Sequence, residues 1–223
     1  MDKALFATAL GKFAAGFVVM GLLLFVPAGT LAWWQGWLLM GVLFAPMFVA
    51  GLFMMAKAPD LLRKRLDANE EELEQRRVLA LSALMFVAAF VVAGLGFRFG
   101  WPSLPPWASW LGAGVFLAGY ALYAEVLREN AYLSRTVEVQ ENQHVVDTGL
   151  YGIVRHPMYA ATLLLFLSMP IVLGSPFAFV ILLAYLPIIA RRIQNEEQVL
   201  AAGLEGYSAY MQRVRWRLVP HVW

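Results

Sequence analysis

No cysteine occurs among the 223 residues, and histidine occurs only three times. A disulfide framework, a thiolate nucleophile and a cysteine-based zinc site are thereby excluded, and so few histidines do not replace them. No metal site is expected. Charge is also scarce: 14% of the residues are Asp, Glu, Lys or Arg, against about a quarter in an ordinary soluble domain. The formal net charge is only +2, which offers neither a nucleic-acid footprint nor a strongly basic surface. What fills the chain instead is apolar side chain, 61% of it, the composition of an integral membrane protein.

Taken in order, a first apolar stretch runs from Phe13 to Gly29 behind Lys3 and Lys12. Its basic start and the small residues Ala28, Gly29 and Ala32 also fit a cleaved secretory leader, which is the alternative reading. A second stretch, Gly36 to Ala56, has the length that crosses a hydrocarbon core of about 30 Å. Between the two lies TLAWWQGW, uncharged and tryptophan-rich, as suits a turn at the lipid interface. The character then changes over 57–77, where six basic and six acidic residues with Leu61, Leu62, Leu66 and Leu73 predict a surface helix or two on the membrane face. A third span follows from Val78 to Phe97, then the turn RFGWPSLPPW, then a fourth span from Ala108 to Leu127. Gly114 and Ala118, four apart, give that fourth helix a strip suited to close packing.

The last apolar run, Ala160 to Ala190, can be read as one helix or as a hairpin broken at Gly174-Ser175-Pro176. As a single helix it would carry the basic C-terminal segment across the membrane. As a hairpin it returns that segment, so that sixteen of the 17 Lys and Arg residues lie on one side and only Arg98 on the other. The positive-inside rule therefore selects the hairpin, with the N-terminus cytoplasmic. The predicted architecture is all-α and polytopic: four transmembrane helices plus a C-terminal helical hairpin, five to six membrane segments in all. Residues 1–127 form the membrane anchor with its 57–77 loop, and residues 128–223 form a second region that holds the unusual polar residues.

Those polar residues concentrate in His144 to Tyr159, HVVDTGLYGIVRHPMY, and in RRIQNEEQVL after the hairpin. Pro157 suits the first position of a helix, where its missing N–H costs nothing. In the second cluster Arg192 and Glu196 are four apart and share a helical face, while Glu197 turns to the neighbouring one. The hairpin brings the two clusters together, in a pocket at the cytoplasmic leaflet containing Arg155, His156, Tyr159, Arg192, Glu196 and Glu197. Taken singly, each has a plain alternative: Arg155 and His156 as interfacial anchors, Arg191 and Arg192 snorkelling to headgroups, Glu196 and Glu197 as a solvated face. Two clusters meeting across one hairpin point instead to a site, because charge at that depth is costly.

At these residues the chain resembles the isoprenylcysteine carboxyl methyltransferase family, part of a wider group of integral-membrane methyltransferases that includes phospholipid N-methyltransferases. The resemblance covers roughly Arg128 to Trp223 and is closest to bacterial members. It rests on His144, VVDTG, Tyr151, RHPMY, an apolar hairpin, Arg192 to Glu197, Tyr207, Tyr210 and a basic end reaching Pro220. It implies S-adenosylmethionine as cofactor, bound on the cytoplasmic side, and a lipophilic acceptor entering from the bilayer. By position, His144, Tyr151, Arg155, His156, Tyr159 and Glu196 would bind the cofactor, and Arg192 and Glu197 would face the reacting groups as catalytic residues. The chain departs from the family at Leu150, where proline is common, at Ala161, where a glycine is, and at Gly203-Leu204-Glu205-Gly206, where a Phe-Gly pair is.

An arginine or the helix N-terminus at Pro157 suits the cofactor's carboxylate, glutamate its ammonium, tyrosine its hydroxyls and aromatic faces its sulfonium. A prenylcysteine carboxylate is already ionised and needs only orienting, whereas an amine or thiol needs a base such as His144, His156 or Glu197. The residues leave the acceptor and the oligomeric state open. The resemblance to bacterial members implies a bacterial inner membrane. Two other classes remain: a membrane reductase of the sterol-reductase kind using a nicotinamide cofactor, and a non-catalytic scaffold or carrier.

Overall fold

The structure is a computed structural model; it describes residues 3–59, 62–63, 73–130, 132 and 143–223. All regular structure among them is helical. The long helices are α1 (Lys3–Ala28), α2 (Trp34–Lys57), α3 (Leu73–Arg98) and α4 (Pro106–Glu129). After them come a 3-10 turn, Gly149–Gly152, then α5 (Pro157–Val172), α6 (Pro176–Leu182), α7 (Tyr185–Gly203) and α8 (Tyr207–Arg213). Most of the expected 57–77 surface helix lies outside the described residues.

Among the described residues, five helices are long and apolar enough to cross a membrane: Ala4–Ala28, Trp34–Lys57, Ala80–Arg98, Pro106–Glu129 and the run Pro176–Gly203, while Pro157–Val172 is apolar but shorter. Four helices plus a C-terminal hairpin are thus present, with the break where Gly174 and Ser175 predicted it. The second arm is longer than the apolar run suggested. It continues through RRIQNEEQVL to Gly203 because that stretch holds no helix breaker.

Two compact units make up the chain, 1–114 with 167–183, and 115–166 with 184–223. They are not sequential halves, since α4 and the hairpin contribute to both. In the first unit, α1 and α3 touch backbone to backbone at Gly94, where a Cβ would lie 2.8 Å from the Leu24 carbonyl oxygen. Phe13 and Phe17 of α1 pack edge-on against Phe44 of α2. At one end of this unit the aromatic residues gather: Trp33 stacks on Phe97, Trp34 on Trp110, and Trp101 meets Phe177 edge-on. This belt is the usual mark of the bilayer's headgroup level. The hairpin turn is fixed at the same end. Ser175 caps α6 by accepting from the Ala178 amide at 3.2 Å, and the Leu104 amide donates to the Gly174 carbonyl at 2.9 Å.

The expected packing strip on α4 is corrected by the structure. Gly114 and Ala118 are exposed, and nothing approaches Gly114 within 4 Å. The close approaches are at Gly112, against the Val172 amide in the first unit, and at Gly119, against Leu165 in the second. Residues seven apart lie two turns along the same face, and it is that face, not the one carrying residues 114 and 118, that meets α5.

Candidate active site

In the second unit Pro157 opens α5 and disfavours helical conformation at His156, and Arg155 and His156 both stand ahead of the helix. Their amides are thereby free to pair with the chain's end: Arg155 donates to the Trp216 carbonyl at 2.8 Å and His156 to that of Arg217 at 2.9 Å. The Arg155 side chain continues the same job. Its Nη1 donates to the carbonyls of Val214 and Arg215 at 2.7 and 3.0 Å, and its Nε to Glu197 Oε1 at 2.7 Å. Glu197 is the centre of a buried ion cluster. Its Oε1 also faces His156 Nε2 at 3.2 Å, and its Oε2 accepts from Arg217 Nε at 2.9 Å.

One residue earlier on α7 the surroundings differ. Glu196 lines a cavity, where it accepts from the Tyr159 hydroxyl and lies 3.8 Å from His156 Nδ1. Arg192, one turn back on the same face, donates to the Tyr159 hydroxyl at 3.0 Å and lines the cavity too. A 100° turn between consecutive helical residues thus separates a glutamate that faces the cavity from one that stands behind its wall.

The cavity collects His144, Tyr151, Arg155, His156, Tyr159, Arg192 and Glu196. Seven of the eight side chains singled out from the sequence therefore surround one space. Glu197, expected to face the reacting groups, does not line it; both its oxygens are taken by the arginines and the histidine. Arg155 lines the cavity with much of its guanidinium already engaged by Glu197 and the tail. Asn130, Tyr132, Gln143, Leu200, Leu204, Tyr207 and Tyr210 also line it; Tyr207 and Tyr210 belong to the run of residues that carries the family resemblance, whereas Gln143, Leu200 and Leu204 were not singled out from the sequence. Tyr207 and Tyr210 had a signal, three-residue spacing on one short helix, while Arg217 had none beyond the alternating arginines of the tail.

Tyrosines dominate the polar lining. The Tyr210 hydroxyl donates to the Tyr151 carbonyl at 2.8 Å, and the Tyr151 hydroxyl accepts from Asn130 at 3.0 Å. Burial pushes the Tyr151 hydroxyl up to about 12, the Asn130 hydrogen bond opposing it. Burial raises those of Tyr207 and Tyr210 as well, with the Glu197 and Glu196 charges adding at Tyr207. All three are therefore neutral hydrogen-bond donors at physiological pH. Apolar lining comes from Val145, Val146, Met158, Leu200 and Leu204, and Leu204, Tyr207 and Tyr210 of the wall pack with Val214 in one buried cluster.

The loop that roofs the cavity is pinned at its far end. Leu150 donates its amide to Glu129 Oε2 at 2.8 Å, a bond that the proline common at this position in the resembling family could not make. Gly149 has φ +55°, and a Cβ there would overlap the Glu129 carboxylate. Asp147 pairs with Arg213 of α8 across the loop's exposed edge. Gly149→Ala should therefore cost left-handed strain of about 1–2 kcal/mol plus the displaced Glu129 bond. The expected result is a fall in thermal stability with looser cavity-ligand binding, read by thermal unfolding and calorimetry; unchanged values would show that the loop does not depend on this contact.

Residues 107–205, from the start of α4 to just past α7, match the family described as phospholipid methyltransferase. Among solved structures, the chain is similar to the eukaryotic intramembrane Ras methyltransferase ICMT, an isoprenylcysteine carboxyl methyltransferase. The TM-score is 0.58 at 20% identity, covering 92% of this chain and 74% of that one. The chain thus shares the fold of that methyltransferase. The family match spans both RHPMY and NEEQVL, and with the fold it supports the resemblance read from those residues. Among curated proteins, the chain is similar to a Delta(14)-sterol reductase of Methylotuvimicrobium alcaliphilum, 24% identical over an alignment of 135 residues that covers 54% of this chain and 32% of the reductase. The chain thus matches about a third of the length of that relative.

Proposed function

We propose that this protein transfers a methyl group from S-adenosylmethionine to a lipophilic acceptor that reaches the site from the bilayer. The observation that carries this reading is the meeting of the RHPMY helix start with Glu196 and Arg192 of α7 around one tyrosine-lined cavity. The match of residues 107–205 to a methyltransferase family supports it.

The donor set suits the cofactor's chemistry. Glu196 supplies an anion for an ammonium, His144, Gln143 and the neutral tyrosines supply partners for hydroxyls and a carboxylate, and Val145, Leu200 and Leu204 supply an apolar surface for a base. When bound, the cofactor offers an electrophilic methyl on a sulfonium. The chain's own part is positioning: Glu196 and the tyrosines hold one reactant, and Arg192 at the cavity wall orients the polar group of the other. Aligning the two with water excluded is the larger source of acceleration, because a wall that gripped the positive charge tightly would slow its dispersal.

Glu197 and Arg217 act from behind, and Arg155 joins them from the cavity wall, holding His156 and the tail in place. Residues 128–223 are the catalytic region and residues 1–127 the anchor. The distribution of Lys and Arg supports an N-terminus and a site on the cytoplasmic side, and the resemblance to bacterial members supports a bacterial inner membrane. The acceptor is a carboxylate, thiol or amine carried on a prenyl or lipid tail.

The sterol-reductase relative keeps a nicotinamide reading open to test. The purified protein is titrated calorimetrically with S-adenosylhomocysteine and, separately, NADPH, as wild type and as His156→Ala. Binding of S-adenosylhomocysteine alone, weakened in the variant, is the expected outcome. NADPH binding in its place overturns the methyltransferase reading in favour of a reductase, and binding of neither makes the cluster structural.

A further inference from the structure

The first unit carries a feature that methyl transfer does not use. An open apolar groove runs between α1 and α2, lined by Phe17, Gly21, Phe25, Gly29, Leu31 and Trp37 among others. Its walls are side chains facing outward: Phe17 is 37% and Trp37 47% exposed. Gly21 forms part of its floor, since a Cβ there would meet only the tip of Met40 at 4.0 Å.

The groove's length has a physical meaning. From Phe17 to Gly29 is twelve residues, about 18 Å of helix at 1.5 Å per residue. Half of a hydrocarbon core is about 15 Å. The groove therefore reaches from the aromatic belt to about the bilayer midplane, the span of one acyl chain in one leaflet.

At the belt end of the groove stands a cation. The Arg98 side chain lies across Gly29, where a Cβ would come within 3.4 Å of its Nε, and its guanidinium sits 5.7 Å from the centre of the Phe99 ring. Among the described residues Arg98 forms no ion pair. It complements the α3 dipole at that helix's last turn, yet a helix dipole supplies only partial charge. An arginine at headgroup level beside a chain-length apolar groove matches one amphiphile: a phosphate above, a hydrocarbon tail below.

We propose that this groove is a binding site for a glycerophospholipid of the Arg98-side leaflet, one acyl chain lying along Phe17 to Leu31 and the phosphate paired with Arg98. The site is built entirely within the first unit and stands whatever chemistry the second unit performs. A bound lipid would fill the groove between α1 and α2 and cover Gly21.

The test uses the full chain, delipidated in detergent and titrated with dioleoyl phosphatidylglycerol or with dioleoylglycerol, which lacks the phosphate. Native mass spectrometry gives the affinity for the first lipid retained, and thermal unfolding verifies that each variant is folded. Arg98→Gln should weaken phosphatidylglycerol about tenfold, the loss of one charge-assisted bond, and leave dioleoylglycerol unchanged. Arg98→Lys should restore most of the loss. Gly21→Phe, which fills the groove, should weaken both lipids. Equal phosphatidylglycerol affinity in wild type and Arg98→Gln overturns the headgroup assignment, and equal affinity in Gly21→Phe overturns the groove as the site.

Discussion

Glu197→Gln is expected to lower stability by about 3–5 kcal/mol, the cost of leaving buried cations without their anion. The Glu197 and Arg155 side chains are each only 7% exposed, and Arg217 is partly so. The amide would keep one acceptor oxygen for three donors and present an N–H₂ to guanidinium groups that cannot accept. Because Arg155 also holds the carbonyls of Val214 and Arg215, its displacement should loosen the tail as well as the core. Limited trypsin digestion reads that directly: cleavage at Arg213, Arg215 and Arg217 should quicken in the variant, alongside a lower unfolding midpoint. Arg217→Met, which removes that cleavage site, should speed digestion at Arg213 and Arg215 and lower the midpoint less, since its guanidinium is nearer solvent. An unchanged midpoint with unchanged digestion would show that the cluster contributes nothing to holding the tail.

Glu196→Gln, one residue away, should behave in the opposite way. Its side chain is 24% exposed and its bond from Tyr159 can be kept by the amide oxygen, so the unfolding midpoint should stay close to wild type. What is lost is a negative charge facing the cavity. If that charge holds the cofactor's ammonium, S-adenosylhomocysteine should bind about ten- to a hundredfold more weakly, as loss of a charge-assisted hydrogen bond of about 1.5–3 kcal/mol implies. Calorimetry on the folded variant measures it. Wild-type affinity in Glu196→Gln would remove this carboxylate from the binding set and leave the tyrosines as its main polar part.

The two glutamates also show where sequence reading stops. Their adjacency, with Arg192 four residues before Glu196, is enough to put Arg192 and Glu196 on one face and Glu197 on the next, because helical geometry depends only on residue spacing. Which of those faces meets a cavity and which meets the tail depends on where residues 214–217 pack, and nothing local to NEEQVL encodes that. The same division appears at α4. Its length and apolarity were legible, but the choice of Gly112 and Gly119 over Gly114 and Ala118 as contact points was set by the neighbour, α5. The partner of Arg217 was not legible for a related reason: Glu197 lies 20 positions earlier, beyond the reach of any helical pattern.

The sequence by itself therefore determined the helices, the turn at Gly174-Ser175 and the convergence of RHPMY with the α7 polar face. Periodicity, chain stiffness and the hydrocarbon thickness act over short stretches and leave few alternatives. Only the tertiary structure decided that Glu196 faces the cavity while Glu197 is buried against Arg155, His156 and Arg217. The energy of a buried ion cluster depends on all its members at once, and those come from three separate parts of the chain.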